Sequence, residues 1–384
     1  MITDECVAAA ALNRVFGFKP KVGLELINEL GSARAVFNLK KDELDEIFGA
    51  NARYKTSIIK TDLEKEYSEL SHLKDAVFLP ITDPRYPSLL KDCEDPPIGL
   101  YIKATSPIDK IFGKNDFISV VGTRNITSYG LQWGMEIILA LCSEFQNKTI
   151  VSGLALGVDA LAHRTALEIN TPTIAVLPTG IDMVYPTAHY ELSERIFRQE
   201  GSALISDYPP KTYALAINFL RRNRIIAALS RATILVESKA RGGGLLTAKL
   251  SHSYNRDVYA LPGKADDLCS MGCNSIIRER IAEPITSIKT FLKSIGVASD
   301  KYIPREKRML NIEEKLKNLY DADTSQLLVQ MLRLIFKNRD ISIAEMQQTL
   351  CKSFVDISSC ARVLESEALI RIDVFQRCSV VNFL

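Results

Sequence analysis

Apolar positions repeat with two different spacings along this chain, and the change from one to the other divides it. Up to about residue 75, apolar residues return every three or four positions at 8–16, 22–30, 32–37, 41–47 and 61–70, with Gly17, Gly31 and Gly49 between the runs. Residues three and four apart share one helix face and glycine stops a turn, so this stretch predicts a compact module of short helices. From about residue 117 the rhythm changes. Short apolar runs at 117–121, 149–151, 173–177, 203–205, 233–236 and 258–261 alternate with helix-spaced stretches at 131–145, 160–167, 190–198, 225–229 and 246–254. That alternation predicts right-handed βαβ units, hence a parallel sheet covered on both faces, with ligands beyond the carboxyl ends of the strands.

Near 295–310 the chain turns polar, with Lys301, Arg305, Lys307 and Arg308 beside Pro304, and reads as a linker. Helical spacing then returns at 327–336, 343–350 and 357–367, and β-like runs follow at 369–373 and 378–383. Helices followed by two strands resemble a small winged helix; its composition is not notably basic, which suits protein contact as well as DNA. At the other end, Phe16-Gly17-Phe18 before a helix closing at Leu30-Gly31 resembles a helix-hairpin-helix or SAM-like module. The expected architecture is α/β. It has a helical domain at 1–75, an extended Rossmann-like parallel-sheet domain at 76–295, a linker at 296–310 and a winged-helix-like domain at 311–384.

Composition narrows the function classes. With 384 residues, 47% of them hydrophobic, two or three packed domains are expected. A formal charge of only +2 means that any nucleic-acid footprint must come from local clustering. No apolar run reaches membrane-spanning length and the first residues lack a secretory pattern, so a soluble cytoplasmic protein is expected, without membrane insertion. The eight cysteines show no CxxC pair and no histidine spacing, which argues for free thiols and against a metal.

Candidate chemistry gathers at the strand ends. Residues 219–248 place Phe219, Arg221, Arg222, Asn223 and Arg224 at a helix start, then a buried-strand pattern, then Arg241 and the run Gly242-Gly243-Gly244 opening a second helix. Guanidinium forks reach phosphate oxygens in pairs, and glycines let backbone N–H groups approach an anion at a helix start. Solvated arginines and a merely flexible turn are the bland alternative. After the first strand, Gly122-Thr123-Arg124 replaces the GxGxxG of a dinucleotide site and, with Ser128, offers hydroxyls and a guanidinium suited to isolated phosphates. The second strand closes on Ser152 and Gly153, with Gly157 and Asp159 ahead of a helix that carries His163. Asp159 suits a cap, and His163 suits a packed side chain, because no nucleophile or metal partner accompanies it. Phe219 can stack a base or anchor its helix.

Assembled, these motifs resemble the DNA-processing protein A family, also called DprA or Smf. The resemblance rests on VGTR at 121–124, SGLALGVDALAH at 152–163, YP at 185–186, RNRIIAALS at 222–230, VE at 236–237, LLTA at 245–248, LPG at 261–263 and DPRYPSLLKDCEDPPIGLYIKA at 83–104. It implies a non-catalytic, dimeric, cytosolic protein that binds single-stranded DNA in a basic pocket and helps load the RecA recombinase during natural transformation, with single-strand-binding protein as a further partner. It also implies DNA contacts from Gly122, Thr123, Arg124, Phe219, Arg222, Asn223 and Arg224, without metal or cofactor, and the strand-end loops add Ser152, Gly153, Arg221, Arg241, Gly243 and Gly244 as candidates. Two departures stand out. The family's Ser-Gly-Ser before LLTA is Gly242-Gly243-Gly244 here, and a lysine found before the aromatic in some members is Ala216, with Lys211, Arg221 or Lys239 as substitutes.

The alternative is a nucleotide phosphoribohydrolase-like Rossmann enzyme. Its PGGxGTxxE motif is absent, the nearest piece being Arg241 to Thr247, and Glu237 is the obvious candidate acid. A nicotinamide dehydrogenase lacks its glycine fingerprint.

Overall fold

Thr3 begins the first helix by accepting a hydrogen bond from the N–H of Cys6, and the small apolar residues that follow, among them Ala8, Ala9 and Leu12, are fully buried. The computed structural model describes residues 2–17, 19–49, 52–113, 116–144, 148–297, 305–338, 341–367 and 369–380. The helical stretch comprises α1 (Asp4–Phe16), α2 (Pro20–Leu30), α3 (Ala33–Val36), α4 (Lys41–Phe48), α5 (Ala52–Ile59) and α6 (Leu63–Ser71). Gly31, in the left-handed region at φ 79°, ends α2. The periodicity anticipates all of these but α5. In that helix only Ile58 is buried among the residues whose side chains are described, with the half-buried Tyr54 against Phe16 at 4.9 Å, and two apolar contacts make a short pattern.

The large sheet follows. Its elements are β1 (Ala76–Pro80), α7 (Ser88–Lys91), β2 (Gly99–Lys103), α8 (Ile108–Phe112), β3 (Asp116–Val121), α9 (Ser128–Glu144), β4 (Lys148–Ser152), α10 (Val158–Glu168), β5 (Thr173–Val176) and α11 (Tyr190–Arg198). They continue with β6 (Ala203–Ser206), α12 (Ala216–Leu229), β7 (Ala232–Leu235), α13 (Gly243–Ser253), β8 (Asp257–Ala260), α14 (Met271–Arg278), β9 (Glu283–Pro284) and α15 (Ile288–Ser294). The strand order is β1-β2-β6-β5-β4-β3-β7-β8-β9. Strands β3 to β9 are mutually parallel, as the alternation predicts, while β1 and β2 add an antiparallel edge on β6. The chain steps outward from β3 through β4, β5 and β6, then returns to the other side of β3 with β7. Loops after β3 and β7 therefore part at a switch point, where such sheets open a crevice.

The boundary expected at residue 75 does not separate two cores. Val7, Leu12 and Phe16 of α1 pack in one cluster with Phe78, Tyr101, Leu177 and Leu204, and Asn13 Nδ2 donates to Asp207 O at 2.7 Å. Residues Met1–Ser299 accordingly form one compact unit and Asp300–Leu384 a second. The helical module covers apolar surface that the antiparallel edge would otherwise leave exposed.

The second unit holds α16 (Arg305–Leu319), α17 (Ala322–Lys337), β10 (Ile341–Ser342), α18 (Ile343–Leu350), α19 (Phe354–Ser366), β11 (Ile370–Ile372) and β12 (Arg377–Val380). Its strands form a small antiparallel sheet in the order β10-β12-β11. Helix α16 begins inside the expected linker, because Met309 and Leu316 are buried in this unit's own core. Phe18, Phe145, residues 298–304 and residues 381–383, which carry parts of the expectations above, lie outside the described residues.

Candidate anion-binding site at the strand ends

The turn after β3 is clamped by the end of β7. Thr123 N–H donates to Glu237 O at 2.8 Å, while Thr127 donates to the Glu237 carboxylate from its N–H at 2.8 Å and its hydroxyl at 2.7 Å. Gly122 then lies against Gly244 in the first turn of α13. A Cβ on Gly244 would stand 2.7 Å from Gly122 Cα, so backbone meets backbone here and glycine is required. No side chain caps α13, whose N-cap is Gly242. Its first N–H groups, with the positive end of the helix dipole, are available to an anion.

These loops enclose a cavity of about 570 Å³ lined by, among others, Gly122, Arg124, Phe219, Lys239, Arg241 and Gly243. Thr123, Asn223, Gly244 and Tyr185 also line it. The Arg124 guanidinium lies over the Phe219 ring at 5.2 Å, and Tyr185 meets the same ring edge-on at 5.3 Å. Arg124, Lys239 and Arg241 are all exposed. The cleft therefore combines accessible cations, an aromatic face and uncapped N–H groups, a set that fits an anion carrying flat apolar parts.

Not every expected contact residue is placed to touch a ligand. Ser152 is fully buried, donating its hydroxyl to Val120 O at 2.7 Å, and is absent from the cavity wall. Gly153 serves packing, since a Cβ there would stand 2.6 Å from the Arg222 guanidinium. Arg222 lines the cavity but is 3% exposed, and its Nη1 donates to Gly153 O at 2.7 Å and to Val176 O. Burial draws its pKa down to about 10 against the opposing pull of Asp159, so it stays charged at neutral pH. Arg224 points elsewhere. It pairs with Asp207 at 2.6 Å, donates to Asp95 O, and does not line the cavity. Arg221 is half-buried and also lies off the wall. Asn223 Nδ2 reaches Gly243 O at 3.4 Å, tying α12 to α13. The arginine run thus divides by helix geometry, since neighbours about 100° apart on α12 cannot share one face.

Asp159 lies buried in the first turn of α10, in the cavity wall, and accepts from Ala155 N at 3.2 Å, holding the loop before its helix while Gly157 occupies the N-cap. His163 is fully buried. Thr173 spends its one hydroxyl proton on Ile150 O at 2.8 Å, so His163 Nδ1 must donate to Thr173 Oγ1 at 2.7 Å. Nε2 is left bare and without a partner, and burial first, then His189 and Arg222, holds the pKa down to about 3. A neutral, inward histidine cannot exchange protons with a ligand in the cleft. Glu237 is likewise 1% exposed and committed to Thr127.

Tyr185 and Lys239 line the wall as well. Tyr185 carries a signal only as half of the YP motif. Lys239 stands among the substitutes for the lysine missing at Ala216; the other two, Lys211 and Arg221, do not line this cavity.

Fold and cleft together define an α/β protein with a Rossmann-like core whose strand ends are furnished for an anion. The chain belongs to the DNA recombination-mediator protein A family, whose profile matches residues 77–296. It is similar to Protein Smf of Synechocystis, 40% identical over 231 residues, covering 60% of this chain and 57% of that protein. It is also similar to DNA processing protein DprA of Streptococcus pneumoniae, 38% identical over 199 residues, covering 52% and 67%. The crystal structure of the Streptococcus pneumoniae DprA matches 76% of this chain and 98% of that one, with a TM-score of 0.63 and 31% identity. A structure of DNA processing protein A from Helicobacter pylori, described for its single-stranded DNA binding mode, matches 59% and 97%, with a TM-score of 0.51 and 28% identity. Matched segments span little more than half of the Smf proteins of Synechocystis and Escherichia coli, at 57% and 52% of their lengths. Among the described residues no helix is long and apolar enough to cross a membrane.

Proposed function

We propose that this chain is a single-stranded DNA-binding recombination mediator that acts without catalysis. The observation that carries this reading is the Arg124–Phe219 stack, which lines one cleft together with the uncapped start of α13. An aromatic face takes an unpaired base of any sequence, while cations and N–H groups take the phosphates on either side. Duplex DNA keeps its bases stacked inside and cannot offer one to Phe219. Family membership supports the finer reading, in which the bound strand is handed to RecA during natural transformation by a homodimer, with single-strand-binding protein as a further partner and a winged-helix-like second unit.

Within this reading Arg124, Lys239, Arg241 and the α13 start contact the strand. Arg222, Asn223, Gly153 and Ser152 hold the wall, and Arg224 supports it from behind. The hydrolase alternative loses its candidate acid, because both Glu237 oxygens face Thr127. Binding of labelled single-stranded and duplex oligonucleotides across salt, followed by RecA filament assembly with and without this protein, tests the proposal. A marked single-strand preference and faster filament nucleation are expected. Equal affinity for both forms, or base release from nucleoside monophosphates that Glu237→Gln abolishes, would refute it.

A further inference from the structure

A second cavity, of about 480 Å³, lies between α6 and the loops that follow β5 and β6, lined among others by His72, Lys74, Lys103, Asp182 and Lys211. The same two loops border the cleft already described. The loop after β5 gives Asp182 to this cavity and Tyr185 to the cleft, and the loop after β6 gives Lys211 to this cavity and Ala214 to the cleft. Between those wall residues the second loop carries Tyr213, which is 70% exposed. Tyr185 is 42% exposed, on the first loop.

Three lysines, Lys74, Lys103 and Lys211, and two carboxylates, Glu69 and Asp182, line the second cavity, an excess of one positive charge. Arg14 is shared between Glu69 at 2.6 Å and Glu66 at 3.0 Å, and the Asp182 carboxylate accepts from the Lys211 backbone N–H at 2.9 and 3.0 Å, with Lys211 in the left-handed region at φ 64° and its side chain exposed. Lys103 is partly occupied by Glu194 at 3.7 Å and by the Phe197 ring. Lys74 and Lys211 are exposed.

We propose that a single strand seated in the cleft continues over the Tyr213 loop into this second cavity, where Lys74 and Lys211 take its phosphates. The helical module, through α6 and Lys74, then forms one bank of the binding path. This extension rests on the single-strand reading above. Stacking on Tyr213 carries the strand across the ridge, and each lysine adds one phosphate contact.

Fluorescence anisotropy with oligothymidylates from about 4 to about 20 nucleotides separates the two claims, since stacking and phosphate contacts add with length. The wild-type protein should gain affinity with length. Lys74→Ala/Lys211→Ala should bind the shortest oligonucleotides as wild type does but lose the later gain, with a salt slope smaller by about 1.4 on long ones, from about 0.7 per phosphate contact on single strands. Tyr213→Ala should lose several-fold affinity for long oligonucleotides only, and Tyr213→Phe should keep it. If the double variant matches wild type at every length, the extension is wrong while the cleft stands. If wild type binds no oligonucleotide of any length, the single-strand reading fails first and the extension with it.

Discussion

At the residue scale, side chains adjacent in sequence have opposite duties. Arg222 and Arg224 look like phosphate forks in the string RRNR, yet one holds two carbonyls at the strand ends and the other neutralises Asp207 within the protein. Arg224→Ala would leave the 5% exposed Asp207 without its partner, so thermal or denaturant unfolding should show a loss of about 3–5 kcal/mol. Arg241→Ala, at an exposed position, should leave the unfolding midpoint unchanged and weaken only ligand binding. His163 makes the fold sensitive to acid. Its folded pKa, held at about 3, lies below the value near 6.5 of an unfolded histidine, so its contribution is complete above pH 6.5 and fades as pH falls towards 3. Between pH 6.5 and 5 that amounts to about 2 kcal/mol. His163→Gln, which keeps a donor for Thr173 and cannot ionise, should show a correspondingly shallower fall in denaturant midpoint over that interval.

At the scale of elements, the parallel strands β3 to β8 and the helices between them are legible because each strand is a short apolar run set off by turn residues. The antiparallel edge is harder to read. Residues 99–103 bury four of five positions with no alternation, and β1 ends at Pro80, so neither strand has a period of two. The cleft was legible as a set of loops, since Gly122-Thr123-Arg124, Phe219 and the triple glycine all reach it. Which guanidinium faces it was not, because that depends on the rotation of α12 against β3 and β5, which a linear string does not encode. Glycines of the α13 turn differ in the same way. Gly244→Ala would drive a methyl into the Gly122 backbone, where nothing can yield, and should cost about 1–3 kcal/mol of stability and weaken binding. At Gly243 the nearest atom to an added Cβ is Asn223 Nδ2 at 3.8 Å, so Gly243→Ala should unfold at the wild-type midpoint. Circular dichroism melts of the two variants side by side check the contrast.

At the scale of the whole molecule, a formal charge of +2 on 384 residues gives no long-range pull on a polyanion, so affinity must come from local placement. The structure supplies that placement by bringing Arg124, Lys239, Arg241, the start of α13 and the Phe219 ring to one cavity. The helical module shares the core of the large sheet instead of standing apart, so the cleft sits in one compact unit with it. The most direct measurement is a titration of fluorescent oligothymidylate across salt, comparing wild type with Arg124→Ala/Arg241→Ala. Affinity at low salt should fall at least tenfold in the variant, and the slope of log K against log salt should shrink by about 1.4, two phosphate contacts at about 0.7 each. An unchanged affinity and slope would contradict the account, because the cleft would then not be where the strand binds.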